Sequence, residues 1–173
     1  MRQFINLITA LVVVFSCAAR SQGATIMFSI FLDGVQETPA NASPGTGTGS
    51  LSLDDATGDY TTAGTFSALI FTTTLAHIHG PAAIGDGPAG IIDPLTVDIG
   101  VTSGTFSGAG TFSAAEMADL LGNLYYVNIH TTSFPGGEIR GQILKIPEPA
   151  SVVLLGCGAL VVVAAAWRRR RSR

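Results

Sequence analysis

Residues 124–145 read LYYVNIHTTSFPGGEIRGQILK. Side chains in a strand alternate between two faces, so Tyr125, Val127 and Ile129 share one face while Tyr126, Asn128 and His130 share the other. Pro135, Gly136 and Gly137 supply turn chemistry. Beyond them Ile139 and Ile143 continue the apolar face, and Glu138, Arg140 and Gln142 the polar one. Pairing like faces sets His130 opposite Glu138 and Asn128 opposite Arg140. The stretch is thus a β-hairpin with core residues on one side and a polar ladder of Asn128, Glu138, Arg140 and Gln142 on the other.

Outward from the hairpin the pattern stays β. Residues 25–32 are rich in β-branched and aromatic residues, 39–49 are expected as a Pro/Gly/Thr/Ser loop, and 49–54 alternate. A turn at 54–58 leads into a long strand over 59–71, which Gly64 is expected to bend or bulge. Strands are expected at 75–79, 95–101 and 105–111, with a Gly/Pro-rich loop over 82–94. One helix is expected over 113–121, where Ser113 and Glu116 fit a capping box and Gly122 ends it. Gly-Thr-Phe-Ser recurs at 64–67, 104–107 and 110–113. The unequal spacing reads as repeated strand chemistry, Phe inward and Thr or Ser outward, because structural repeats keep a fixed period. Together these features predict one all-β domain over residues 25–146, an antiparallel β-sandwich or Greek-key barrel with one short helix.

The two ends of the chain carry a different chemistry. Residues 1–24 have a positive start at Arg2, an apolar run over 5–18 and small residues up to Ala24, the order of a signal peptide cleaved after Gly23 or Ala24, with Ala19 as the alternative. An uncleaved anchor is the other reading. Residues 150–167 are apolar and uncharged, and Arg168, Arg169, Arg170, Arg171 and Arg173 follow at once. That length is about enough to span a bilayer as a transmembrane helix, and the arginines place its end in the cytoplasm. Pro147, Glu148 and Pro149 precede it. Pro-Glu-Pro, an apolar helix and an arginine cluster, in that order over 147–173, resemble the PEP-CTERM sorting signal. The resemblance implies export to the cell envelope or beyond, with an exosortase-type enzyme in the inner membrane as processing partner; a permanent single-pass anchor is the alternative.

Without its ends the chain is acidic. Residues 25–147 keep only Arg140 and Lys145 against eleven acids, a balance of −9. Nucleic acid is therefore not an expected partner, since its phosphates need clustered bases. Cations and basic surfaces suit the domain better. Cys17 and Cys157 both lie in the terminal segments, which excludes disulfides, thiolate metal sites and cysteine nucleophiles from the domain.

All three histidines of the chain fall on expected strands. His77 and His79 form His-x-His, which puts both imidazoles on one face, a geometry metal sites exploit. With His130 as third ligand and Glu138 or Asp86 near, the set suits zinc or copper. The same imidazoles also suit a purely structural role, bonded to backbone and loop groups.

FLDGVQETP at 31–39, AHIHG at 76–80, YVNIHT at 126–131 and GGEIRGQ at 136–142 together resemble the CHRD domain, first named from chordin. The resemblance covers 25–146 and implies a β-rich extracellular module without assigned catalytic residues. The His-x-His strand also invites comparison with Cu/Zn superoxide dismutase, but three histidines cannot furnish that enzyme's two metal sites. No nucleophile motif, paired-carboxylate motif or phosphate loop is present. The expected function is accordingly a non-enzymatic binding or structural module without a cofactor, exported to the envelope, where an extracellular polysaccharide or protein matrix is a candidate partner. The alternative is a histidine-based, redox-capable metal protein.

Overall fold

The computed structural model describes residues 23–147; the signal segment through residue 22 and the sorting segment from residue 148 lie outside the described residues. Eight strands and one helix follow in order: β1 (Thr25–Asp33), β2 (Thr46–Asp54), β3 (Asp59–Ser67), β4 (Thr73–His79), β5 (Ile91–Val97), β6 (Gly104–Thr111), α1 (Ala114–Leu121), β7 (Tyr126–Thr131) and β8 (Ile139–Lys145). All strand pairs are antiparallel. They close into a barrel in the order β1-β2-β3-β6-β5-β4-β7-β8. The closing seam sets β1 against β8, with Phe28 opposite Lys145 at one end and Asp33 opposite Arg140 at the other. Among the described residues no helix is long and apolar enough to cross a membrane.

The hairpin has the expected register, Asn128 opposite Arg140 and Ile129 opposite Ile139. Its apolar face enters the core, where Tyr125, Val127, Ile129, Ile139 and Ile143 join Phe28, Leu32, Leu51, Leu53 and Ile78 at 3% exposure or less. α1 has both halves of the capping box: Glu116 N donates to Ser113 Oγ at 3.3 Å, and Ser113 N donates to Glu116 Oε2 at 2.7 Å. Gly122 stands at its C-cap. Tyr60 stacks on Phe112, 4.1 Å between ring centres, and donates its hydroxyl to Asp93.

Gly64 does not bulge β3, whose pairing with β2 and β6 is continuous through it. Instead Gly64 lies opposite Phe106, and Phe66 opposite Gly104. A Cβ at Gly64 would stand 2.5 Å from both Phe106 Cε1 and the Thr48 carbonyl oxygen. The Gly-Thr-Phe-Ser copies at 64–67 and 104–107 thus pair with each other, each phenyl lying over the other's glycine. All three phenylalanines of the echo are buried and their threonines exposed.

Several strand limits differ from expectation: β2 begins at Thr46, inside the stretch read as a loop, and β4 begins at Thr73 rather than at residue 75. β3 stops at Ser67, and the chain turns at Ala68 with φ +59°; Ile70 N and Phe71 N then donate to the Glu138 carboxylate instead of a ladder. β5 spans Ile91–Val97 rather than 95–101, so Pro94 lies inside a strand, opposite His77. Proline lacks an N–H, and the seam from β5 to β6 is correspondingly short, holding only Thr96 opposite Ser107 and Val97 opposite Phe106.

A candidate metal centre on the outer face of the barrel

The polar face of the hairpin points away from the core, yet every residue of β7 is buried. Three loops roof it: 34–45, 80–90 and 132–137. Side chains of the ladder fasten them. Gln142 Nε2 donates to Ala82 O and Asn123 O, and Asn128 Nδ2 donates to Gly136 O. Glu138, fully buried, accepts from Ser43 Oγ, Ile70 N, Phe71 N and Thr131 Oγ1 at 2.6–3.2 Å. Glu138 and Gln142 are therefore fasteners.

Beneath this roof His77, His79 and His130 meet. His77 and His79 come from β4, and β7 lies antiparallel beside it with Asn128 opposite His77. One ring nitrogen from each histidine lies within 4.8 Å of the others, and the three residues are exposed by 9%, 8% and 7%. His130 Nδ1 lies 2.9 Å from Pro135 O, and His79 Nδ1 lies 3.0 Å from Ala89 O. A carbonyl only accepts, so both Nδ1 atoms carry the proton and both Nε2 atoms keep a lone pair. His130 Nε2 faces His77 Nδ1 at 3.1 Å, which makes His77 the donor of that pair. His79 Nε2 is buried without any partner. Backbone carbonyls that fix the tautomer and aim the opposite nitrogen are the usual outer contacts of metal-bound histidine.

Electrostatics keep the imidazoles neutral. Burial pushes His130 down to about 4, against its Pro135 bond and with help from the two neighbouring rings. Burial also lowers His77, with His79 adding to it, and lowers His79, with Arg140 adding against the Ala89 and Gly90 carbonyls. Neutral imidazole is the form that binds metal.

The Tyr126 ring stacks on His79, 5.2 Å between centres and 9° from parallel, and its hydroxyl accepts from Ala89 N. The Arg140 guanidinium lies 3.5 Å from the centre of the Tyr126 ring, in cation–π contact. On the far side of Arg140 a cleft of about 400 Å³ opens, lined by Glu37, Thr38, Ile84 and Gln142 among others. Glu37 is buried, and burial raises its carboxyl to about 7 even though Arg140 opposes the shift. Glu37 Oε1, Asn128 Oδ1 and Arg140 Nη2 are all buried without partners. Gly137, at φ +130°, lets these groups approach, since a Cβ there would collide with both Asn128 and Glu37.

The three histidines expected as ligands are thus brought together, and the carboxylates named beside them are not. Glu138 is engaged elsewhere, and Asp86 is exposed in the 80–90 loop. Of the sorting residues, only Pro147 belongs to the described chain; Glu148, Pro149 and the arginines lie outside it. Sequence reasoning missed Glu37 and the stacking role of Tyr126. Alternation had placed Tyr126 on the polar face, but nothing in the periodicity brought residue 37 to the hairpin.

The family profile of the CHRD domain matches residues 28–143. The chain belongs to the CHRD domain family. A second profile, the PEP-CTERM protein-sorting motif, matches residues 145–171, so the CHRD domain is exported and sorted to the envelope through exosortase-type processing. No curated protein and no solved structure matches the chain. The histidines, the ladder and Glu37 all fall inside the segment shared with the CHRD family.

Proposed function

We propose that this exported CHRD domain is a non-enzymatic binding module whose ligand is a transition-metal ion, zinc or copper, held by His77, His79 and His130. The observation that carries the reading is the buried, unpartnered Nε2 of His79 beside two more imidazole nitrogens. An unsatisfied buried acceptor costs about 1–3 kcal/mol unless something fills its lone pair. Three bonds of about 2.0 Å around one ion in a plane set nitrogens about 3.5 Å apart. The 3.1 Å pair and the 4.8 Å outer limit bracket that spacing. His77 joins by moving its proton from Nδ1 to Nε2. The reading includes a signal peptide over 1–24 and a helix over 150–167 that holds the protein in the inner membrane, arginines inside, until the exosortase-type enzyme acts. The domain is then left in the envelope or among an extracellular polysaccharide or protein matrix.

Elemental analysis and thermal unfolding of the purified protein test the metal. One equivalent should bind, and at a free-ion concentration about a hundredfold above the dissociation constant it should add about 2.7 kcal/mol of stability. His130→Asn should abolish the gain while keeping a donor toward Pro135 O. A melting temperature indifferent to metal and chelator would overturn the proposal.

A further inference from the structure

The charge and number of the donors say more about which ion fits. Resting on the metal-centre reading, we infer that the site selects a soft monovalent cation, copper(I), over zinc(II). The first argument is charge. Among the described residues the grouped ligands are three imidazoles, all neutral donors. No thiolate can replace one, because Cys17 and Cys157 lie outside the domain. Glu138, the acid nearest along the hairpin, is saturated by two amides and two hydroxyls, and turning it toward the histidines would strand all four donors. A dication would keep its full charge in a site where each ligand is less than a tenth exposed. The energy of placing an ion in such a medium grows as the square of its charge, so the penalty falls far more heavily on zinc(II).

The second argument is the neighbouring cation. Arg140 lies on the outer face of Tyr126, whose inner face stacks on His79. A fixed guanidinium one ring away repels a dication about twice as strongly as a monocation. The third is coordination number. Zinc on three histidines completes four-coordination with a ligand from solvent, whereas copper(I), also d10 but of lower charge, is content with three nitrogens in a plane. A water would complete the shell of zinc(II), but its charge would fall only if that water gave up a proton or an anion took its place.

The test uses the full chain purified in mild detergent, anaerobically and with ascorbate as reductant. Equimolar copper(I) and zinc(II) are offered together, and the retained metal is measured after desalting. Chromophoric chelators specific for each ion then give the two affinities. Copper(I) should be retained over zinc(II) by more than about tenfold, with X-ray absorption reporting three nitrogen neighbours, and His79→Gln and His130→Asn should each lose it. Equal or preferential retention of zinc(II) would overturn the selectivity while leaving a metal centre in place. Copper(I) bound equally well by both variants would place the ion elsewhere and overturn it too. Binding of neither ion would overturn the metal-centre reading itself.

Discussion

Lowering the pH should destabilise the metal-free protein through His130, by an amount its surroundings set. The ring takes up a proton near the ordinary value of 6.5 when the chain is unfolded and only near about 4 when folded. The stabilisation it provides is therefore complete above 6.5 and is lost as pH falls toward 4, because the unfolded state binds the proton first. One pKa unit corresponds to about 1.4 kcal/mol, which sets a ceiling of about 3 kcal/mol; solvent screening at a site that still admits water brings this to about 2 kcal/mol. Glu37 acts with the opposite sign over an overlapping range, its carboxyl being raised from 4.5 to about 7. The comparison must therefore be between proteins that share Glu37. Urea unfolding of the wild type and His130→Asn, both in chelator, should show the wild type losing about 2 kcal/mol more than the variant between about pH 7.5 and about pH 4.5. Stability curves that run parallel over that range would refute the claim that desolvation holds His130 neutral.

Three further outcomes are expected. Glu37→Gln should gain stability relative to the wild type as pH rises through 7, since a raised carboxyl stabilises the fold below 4.5 and loses that contribution above its folded value; paired unfolding curves at about pH 5 and about pH 8 read it. Glu138→Gln points an amide at donors that now meet a carboxylate, and should cost about 3 kcal/mol, measured by denaturant midpoint at constant slope. Gly64→Ala drives a methyl into Phe106 and should cost about 1–3 kcal/mol, with part of the loss recovered by adding Phe106→Leu in a double-mutant cycle.

The hairpin was legible because alternation with a buried face leaves a single register: slipping β8 by one residue would turn Ile139 and Ile143 out of the core and Arg140 into it. The cap of α1 was legible for a similarly local reason, Ser113 and Glu116 being three residues apart. Closure of the barrel was not, since nothing in residues 25–33 names β8 as a partner. Gly64 was misread because a glycine in a strand signals either a bulge or a close approach, and Phe106, which decides between them, is remote in sequence. Pro94 misplaced the start of β5 because its missing N–H matters only to a neighbour that must accept from it, and β6 pairs only with residues beyond it. The three histidines were visible as a set. Their convergence depended on β4 pairing with β7, and their tautomers on Pro135 and Ala89, carbonyls that carry no sequence signature. Glu37 reaches the ladder through a loop, where periodicity is silent.

The seam between β1 and β8 determines how the domain would hang from a tether. The chain enters at Thr25 and leaves at Lys145, on adjacent strands at one end of the barrel. The level of Asp33, Arg140, Asn128 and His77 lies five residues farther along β8, from Lys145 to Arg140, or roughly 16 Å at strand rise. Whatever the sorting segment is fastened to therefore pulls at one pole, and the histidines ride at a distance from it. Tension on that leash would run along backbone ladders rather than through the roofing loops. Cutting it would release the protein without disturbing a contact under the roof, so the three histidines keep the same surroundings before and after processing.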